Sequence, residues 1–218
     1  MLRSNSSLAA LLDANERYDP PRCIKGTRRN VIRKLEDWIR HDSRHSAPSS
    51  IFWVYGGVGA GKSALAQTLG EKFQTSGNLA ASFFFGADAN RNDGNRLIPT
   101  LALQLVQSFQ ELTPFMENKI VENPDLFKKN RRTQMFDLLV DSLRRLSLEE
   151  KGGLHVADSG SKSHPRLIVI DGLDECSDLD IQCDLLRIII GAIPHFPYPL
   201  RFLITSRPES HITHALKR

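Results

Sequence analysis

Ile51-Phe52-Trp53-Val54-Tyr55 runs straight into Gly56-Gly57-Val58-Gly59-Ala60-Gly61-Lys62-Ser63, and no other stretch constrains the fold as much. The first five residues read as a buried strand. The next eight fit G-x-x-x-x-G-K-S, the phosphate-binding P-loop. Glycines remove Cβ atoms, so successive backbone N–H groups can curl around an anionic oxygen, and the following helix adds the positive end of its dipole. In that arrangement Lys62 reaches the β- and γ-phosphates and the Ser63 hydroxyl ligates Mg²⁺. A glycine-rich turn could match the pattern by coincidence. The pattern carries weight only between a strand and a helix, and Ala64, Leu65, Leu69 and Phe73 keep an apolar stripe at helical spacing beyond it. The expected phosphate cradle is therefore Gly56 to Ala64.

Two further elements end apolar runs in polar tips. Leu167-Ile168-Val169-Ile170 suits a parallel strand buried on both faces. Asp171 emerges at its C-terminal end, where ligands sit in open α/β sheets. Gly172-Leu173-Asp174-Glu175 adds two more carboxylates. Clustered acids repel unless a cation or proton intervenes, so the cluster is a metal site or a solvated turn, and the P-loop favours the metal. Leu200-Arg201-Phe202-Leu203-Ile204 ends in Thr205-Ser206-Arg207-Pro208. Arg207 could place a guanidinium near a γ-phosphate. The same tip also reads as a turn before a helix, with Pro208 pre-set for the first helical position.

Together these elements resemble the NACHT family of STAND-class signalling P-loop NTPases, particularly the fungal heterokaryon-incompatibility and nephrocystin-like branch. The likeness rests on Cys23-Ile24-Lys25-Gly26-Thr27-Arg28, Gly56 to Ser63, Ala81-Ser82-Phe83-Phe84-Phe85, Ile98-Pro99-Thr100-Leu101-Ala102, Asp171 to Glu175 and Ile204 to Glu209. It implies a three-layer α/β fold with a mostly parallel sheet, binding of ATP or GTP, and slow Mg²⁺-dependent hydrolysis serving a signalling or assembly switch. It also implies roles. Lys62 contacts the phosphates, Ser63 and Asp171 hold Mg²⁺, and Asp174 or Glu175 positions the attacking water. Arg207 senses the terminal phosphate, and Thr27 and Arg28 lie near the base. Members often carry an Arg soon after the Phe-rich strand; here Gly86-Ala87-Asp88 follows and Arg91 is the nearest candidate.

The resemblance divides the chain into an N-terminal arm, residues 1–18, read as a short helix or frayed, and a partial NTPase domain, residues 19–218. It also implies that the P-loop strand lies between the sensor strand and a fifth strand later in the chain, with a helical lid and repeats. The sequence ends at Arg218, so Ile51 to Tyr55 is expected to have an unpaired edge or another cover, and only weak turnover is expected. The absence of an N-K-x-D run favours ATP over GTP. A small-molecule kinase would need an Arg-rich lid after the third strand, and none follows it. A non-hydrolysing nucleotide-binding module remains the alternative.

The other features bound the reading. A net charge of +4 and 40% hydrophobic content suit a globular chain, and no apolar run approaches the length needed to span a membrane. The basic residues Arg22 to Lys34 are interleaved with Glu36 and Asp37 and carry no nucleic-acid motif, so a solvated helix face explains them. Cys23, Cys176 and Cys183 form no C-x-x-C pair, which points to reduced thiols and a cytoplasmic setting. His211 and His214 have no third ligand in view and read as surface histidines. The expected partners are the nucleotide and copies of this chain or signalling proteins. Helices are expected over residues 28–40, from Leu97, over residues 133–146 and over 179–193, with polar linkers at 41–50 and 147–164.

Overall fold

The computed structural model describes residues 1–40, 49–88, 90–152 and 166–216. Its framework is a four-stranded sheet of β1 (Ile51–Tyr55), β2 (Leu79–Phe84), β3 (Arg166–Asp171) and β4 (Leu200–Ser206). The strands lie in the order β1-β4-β3-β2 and all pair in parallel. The longer helices are α1 (Arg29–Arg40), α2 (Lys62–Thr75), α3 (Leu97–Ser108), α4 (Thr113–Glu122), the composite α5, α6 (Leu179–Ala192) and α7 (Ser210–Leu216), and the short helix expected of the N-terminal arm is present at Leu2–Asn5. The composite α5 joins Arg131–Gln134, a π-helical stretch Met135–Val140, and Asp141–Gly152.

Period-two alternation in the strands feeds two separate cores. Phe84, Leu167, Val169 and Leu203 pack beneath α1 and α2 with Leu35, Ile39, Leu69 and Phe73. Phe83, Ile168, Ile170, Phe202 and Ile204 point the other way, against Leu101, Leu139, Leu185 and Ile212 of the remaining helices. Residues of β3 are thus buried on both faces, which is why that strand reads as an unbroken apolar run. The result is a three-layer α/β fold, as expected.

β1 has β4 as its neighbour and stands at the sheet edge among the described residues. Its cover is partial: Ala215 and Leu216 of α7 border Ile51 and Trp53 along a groove. The N-terminal segment is not frayed. Ala9, Ala10 and Leu12 are buried. The Ser7 N–H donates to Thr100 Oγ1 at 2.8 Å and the Leu12 N–H to Ser82 Oγ at 3.2 Å, fixing the segment to α3 and β2.

Several boundaries differ from the sequence reading. The helix expected over 133–146 starts at Arg131 and runs to Gly152, so the beginning of the expected polar linker is helical. The rest of that linker, 153–164, and residues 41–48 of the other lie outside the described residues. Helix α4, with Pro114 in its first turn, was not anticipated. Among the described residues no helix is long and apolar enough to cross a membrane.

Candidate nucleotide-binding site

The loop between β1 and α2 turns on two left-handed glycines, Gly59 at φ 75° and Gly61 at φ 73°. A Cβ at Gly57 or Gly59 would meet nothing within 4 Å, so the concave side of the loop is open. The Leu65 N–H donates to Gly61 O at 3.1 Å, which starts α2 directly from the loop and leaves its first N–H groups facing the concavity. The Lys62 ammonium arches back over the loop and donates to Gly56 O at 2.7 Å and Gly57 O at 3.0 Å.

Sheet order then brings the second motif alongside. β4 lies between β1 and β3, so the carboxyl ends of the P-loop strand and of β3 are one strand apart. Asp171 is 4% exposed. Its Oδ1 accepts from Thr205 Oγ1 at 2.5 Å, and that hydroxyl in turn accepts from the Gly172 N–H at 3.0 Å. Ser63 lines the same cavity as Asp171. Burial pushes the Asp171 pKa above the usual carboxylate range; the Thr205 hydrogen bond, the neighbouring Ser63 hydroxyl and the charges of Arg17 and Lys62 oppose it.

Gly172, at φ 68°, turns the chain into a short 3₁₀ turn, Leu173–Glu175, that separates the two remaining acids. Asp174 is committed to the β4 tip: it accepts from the Arg207 N–H at 2.9 Å and pairs with Arg207 Nε at 3.0 Å. Glu175 instead faces a cavity of about 300 Å³ shared with Ser63, Asp171, Gly86 and Arg91. Burial, then the charges of Asp174 and Asp171, raise the Glu175 pKa, with Arg91 and Arg207 opposing. Arg91 pairs with Asp88 at 2.6 Å and lies over Gly86, where a Cβ would come within 2.5 Å of its guanidinium. The expected stand-in arginine thus reaches the cavity wall.

Thr27 sits in an exposed turn, donating to Ile24 O at 2.7 Å, beside a cleft of about 560 Å³ lined by Cys23, Ile24, Ile32 and Thr68. Arg28 holds a left-handed backbone, φ 53°, and its guanidinium donates to the carbonyls of Ala60 and Gly61. His211 is more than a surface histidine. Its Nε2 contacts Oε1 of the buried Gln182 at 2.7 Å, and Gln182 Nε2 donates to Cys176 O at 2.7 Å, tying α7 to the acidic turn. The three cysteines are free.

One contributor escaped the sequence reading. Arg17, in the segment read as an arm, stacks over the Phe84 ring at 3.5 Å. It donates to Leu11 O at 3.1 Å, Leu12 O at 2.9 Å and Gln67 Oε1 at 2.7 Å. Burial lowers its pKa to about 10, with Asp171 opposing, so it stays charged at neutral pH. No motif marks it; only the fold brings it to the cavity wall.

A resident Mg²⁺ would find oxygen donors here. Among the described residues no group of three or more His, Cys, Asp or Glu side chains could cage a metal. The pair of one hydroxyl and one buried carboxylate fits a hard ion that keeps most of its waters and takes the rest of its shell from phosphate oxygens.

The sheet and the glycine loop form a three-layer α/β domain whose family match is NACHT-like and NTPase-related. A family model described as nephrocystin 3, N-terminal, matches residues 26–207, and the chain belongs to that family. No curated protein matches the chain.

Proposed function

We propose that the chain binds a purine nucleoside triphosphate with Mg²⁺ on the 56–64 loop and hydrolyses it slowly, the bound nucleotide setting a signalling or assembly state in the cytoplasm. The observation that carries this reading is the cavity that Ser63 and Asp171 share: two motifs more than a hundred residues apart meet beside the glycine loop. The N–H groups of the loop and Lys62 hold the phosphates, and Ser63 and Asp171 are the metal ligands. A bound Mg²⁺ would neutralise phosphate charge as it develops in the transition state.

Glu175 is the better water-positioning residue. It faces the cavity with a raised pKa, whereas Asp174 is held by Arg207. In the step itself a water oxygen bonds to the γ-phosphorus, the bridging bond to the β-phosphate breaks, and the water proton passes toward Glu175. Breaking the Asp174 contact would free Arg207 to meet the terminal phosphate. The absence of a guanine-reading N-K-x-D run favours ATP, and the likeness to the fungal heterokaryon-incompatibility branch favours a switch role. A second reading, a binding module without turnover, is favoured by that same Asp174–Arg207 pair, which occupies both groups.

Binding of fluorescent ATP and GTP analogues with Mg²⁺ tests the first claim. Lys62→Ala should weaken it by roughly 1.5–3 kcal/mol, about tenfold or more. Glu175→Gln should spare binding and abolish phosphate release; turnover that survives this change would remove Glu175 from the step, and a wild type that binds without releasing phosphate would leave the module reading in place.

A further inference from the structure

Arg28 is an arginine in a conformation arginine seldom adopts. Its φ of 53° lies in the left-handed region, where a side chain crowds the following carbonyl. Strained backbone of this kind persists where neighbouring contacts over-determine it. Here the contacts are two charge-assisted hydrogen bonds from the guanidinium, to Ala60 O at 2.6 Å and to Gly61 O. The next residues enter α1, and the Ile32 N–H donates to Arg28 O at 2.9 Å, so the clamp is anchored on a regular helix.

The peptide geometry gives these contacts a consequence. In a trans peptide the N–H points opposite the C=O of the same unit. The carbonyl of Ala60 shares its unit with the Gly61 N–H, and the carbonyl of Gly61 shares its unit with the Lys62 N–H. Holding both oxygens on one side therefore fixes both N–H groups on the other. The fork of a guanidinium can satisfy two adjacent carbonyls at once, which a lysine ammonium does less rigidly. Gly61 leaves room for this clamp: at φ 73° it carries no side chain, and a Cβ there would come within 2.2 Å of the Arg28 guanidinium.

We propose that Arg28 is a positioning residue that clamps the carbonyl side of the P-loop and so aims the N–H groups of Gly61 and Lys62 at the phosphates. This rests on the triphosphate reading above, and it gives Arg28 a task directed at the loop rather than at the base.

The test compares the full chain with Arg28→Gly, Arg28→Asn and Arg28→Lys. Glycine and asparagine tolerate the left-handed backbone, so both variants should keep or raise the melting temperature while losing the clamp. Each should bind the fluorescent Mg²⁺–ATP analogue about tenfold more weakly, with Arg28→Lys in between. In the nucleotide-free protein, the NMR order parameters of the Gly61 and Lys62 amides should fall toward those of a flexible loop while the interior of α2 is unchanged. That local change would not follow from a general loss of stability, nor from a direct contact between Arg28 and ligand. Unchanged affinity or unchanged order at the two amides overturns the clamp. Should wild type bind neither ATP nor GTP analogue, the triphosphate reading falls, and the order-parameter comparison still decides whether Arg28 orders the loop.

Discussion

Asp171 is a carboxylate placed where ionisation is unfavourable. Its folded pKa lies above its unfolded one because burial outweighs the Thr205 hydrogen bond and the neighbouring Ser63 hydroxyl. A raised carboxyl contributes fully to stability at pH below its unfolded pKa, and that contribution is lost as pH rises through the folded value. At neutral pH without a cation the site is therefore strained electrostatically. Asp171→Asn should raise the melting temperature of the nucleotide-free protein by about 2–4 °C at pH 7, the equivalent of roughly 1 kcal/mol. It should also flatten the pH dependence, while Mg²⁺-nucleotide affinity falls. Differential scanning fluorimetry across pH 4–8 reads the first effect; an unchanged or lowered melting point at pH 7 would contradict the argument. Glu175 follows the same sign in catalysis. Because burial and two neighbouring acids raise its pKa, turnover should climb with pH through a midpoint above the ordinary carboxylate range, and Glu175→Gln should remove that limb of the profile. Lys62, Ser63 and Asp171 were legible because each belongs to a motif whose spacing is set by the chemistry it serves. Arg17 was not, since it meets Phe84 and the cavity only after the chain has folded back.

The N-terminal segment shows the same limit for a whole stretch of chain. Leu8-Ala9-Ala10-Leu11-Leu12 is too short to display a helical or strand period, so nothing local says that it packs. Yet Leu12 is buried against α2, and a Cβ added at Gly70 would come within 2.7 Å of Leu12 Cδ1. The glycine is there for close approach, at some cost to helix propensity. Leu12→Ala should lower stability by about 2–5 kcal/mol. Gly70→Ala alone should destabilise through the clash, but in the double variant the new methyl enters the vacated space. Denaturant unfolding of the four proteins should therefore give a coupling of roughly 1 kcal/mol or more in the restoring direction, and strict additivity would mean that the two residues do not meet. Helix α5 is a milder case. Its apolar spacing was read correctly, but the π-helical stretch at Met135–Val140 and the extension to Gly152 depend on how the helix lies against α3 and α6, which spacing does not encode.

Strand order was legible only in part. Unbroken apolar runs announce two-sided burial and the three motif tips announce a common ligand face, but neither says which strand neighbours which; only the resemblance put the P-loop strand beside the sensor strand, as the β1–β4 pairing bears out. The order β1-β4-β3-β2 makes β3 and β4 the paired centre and, among the described residues, leaves β1 with a single partner. Amide exchange should be slowest in β3 and β4 and clearly faster at alternate N–H groups of β1; uniform protection of β1 would mean that its edge is covered in solution. The single partner has a further consequence, for biogenesis. Ile51 pairs with Phe202 and Tyr55 with Ser206, so the strand that launches the phosphate loop can join β4 only after about 150 further residues have left the ribosome, the separation that the pairing sets. Until then five apolar and aromatic residues wait without a neighbour, and closing so large a loop makes the pairing slow. A nascent or cleaved chain lacking residues 200–206 would carry the glycine motif on a strand without its β4 partner, so the support of that loop is conferred from the far end of the fold.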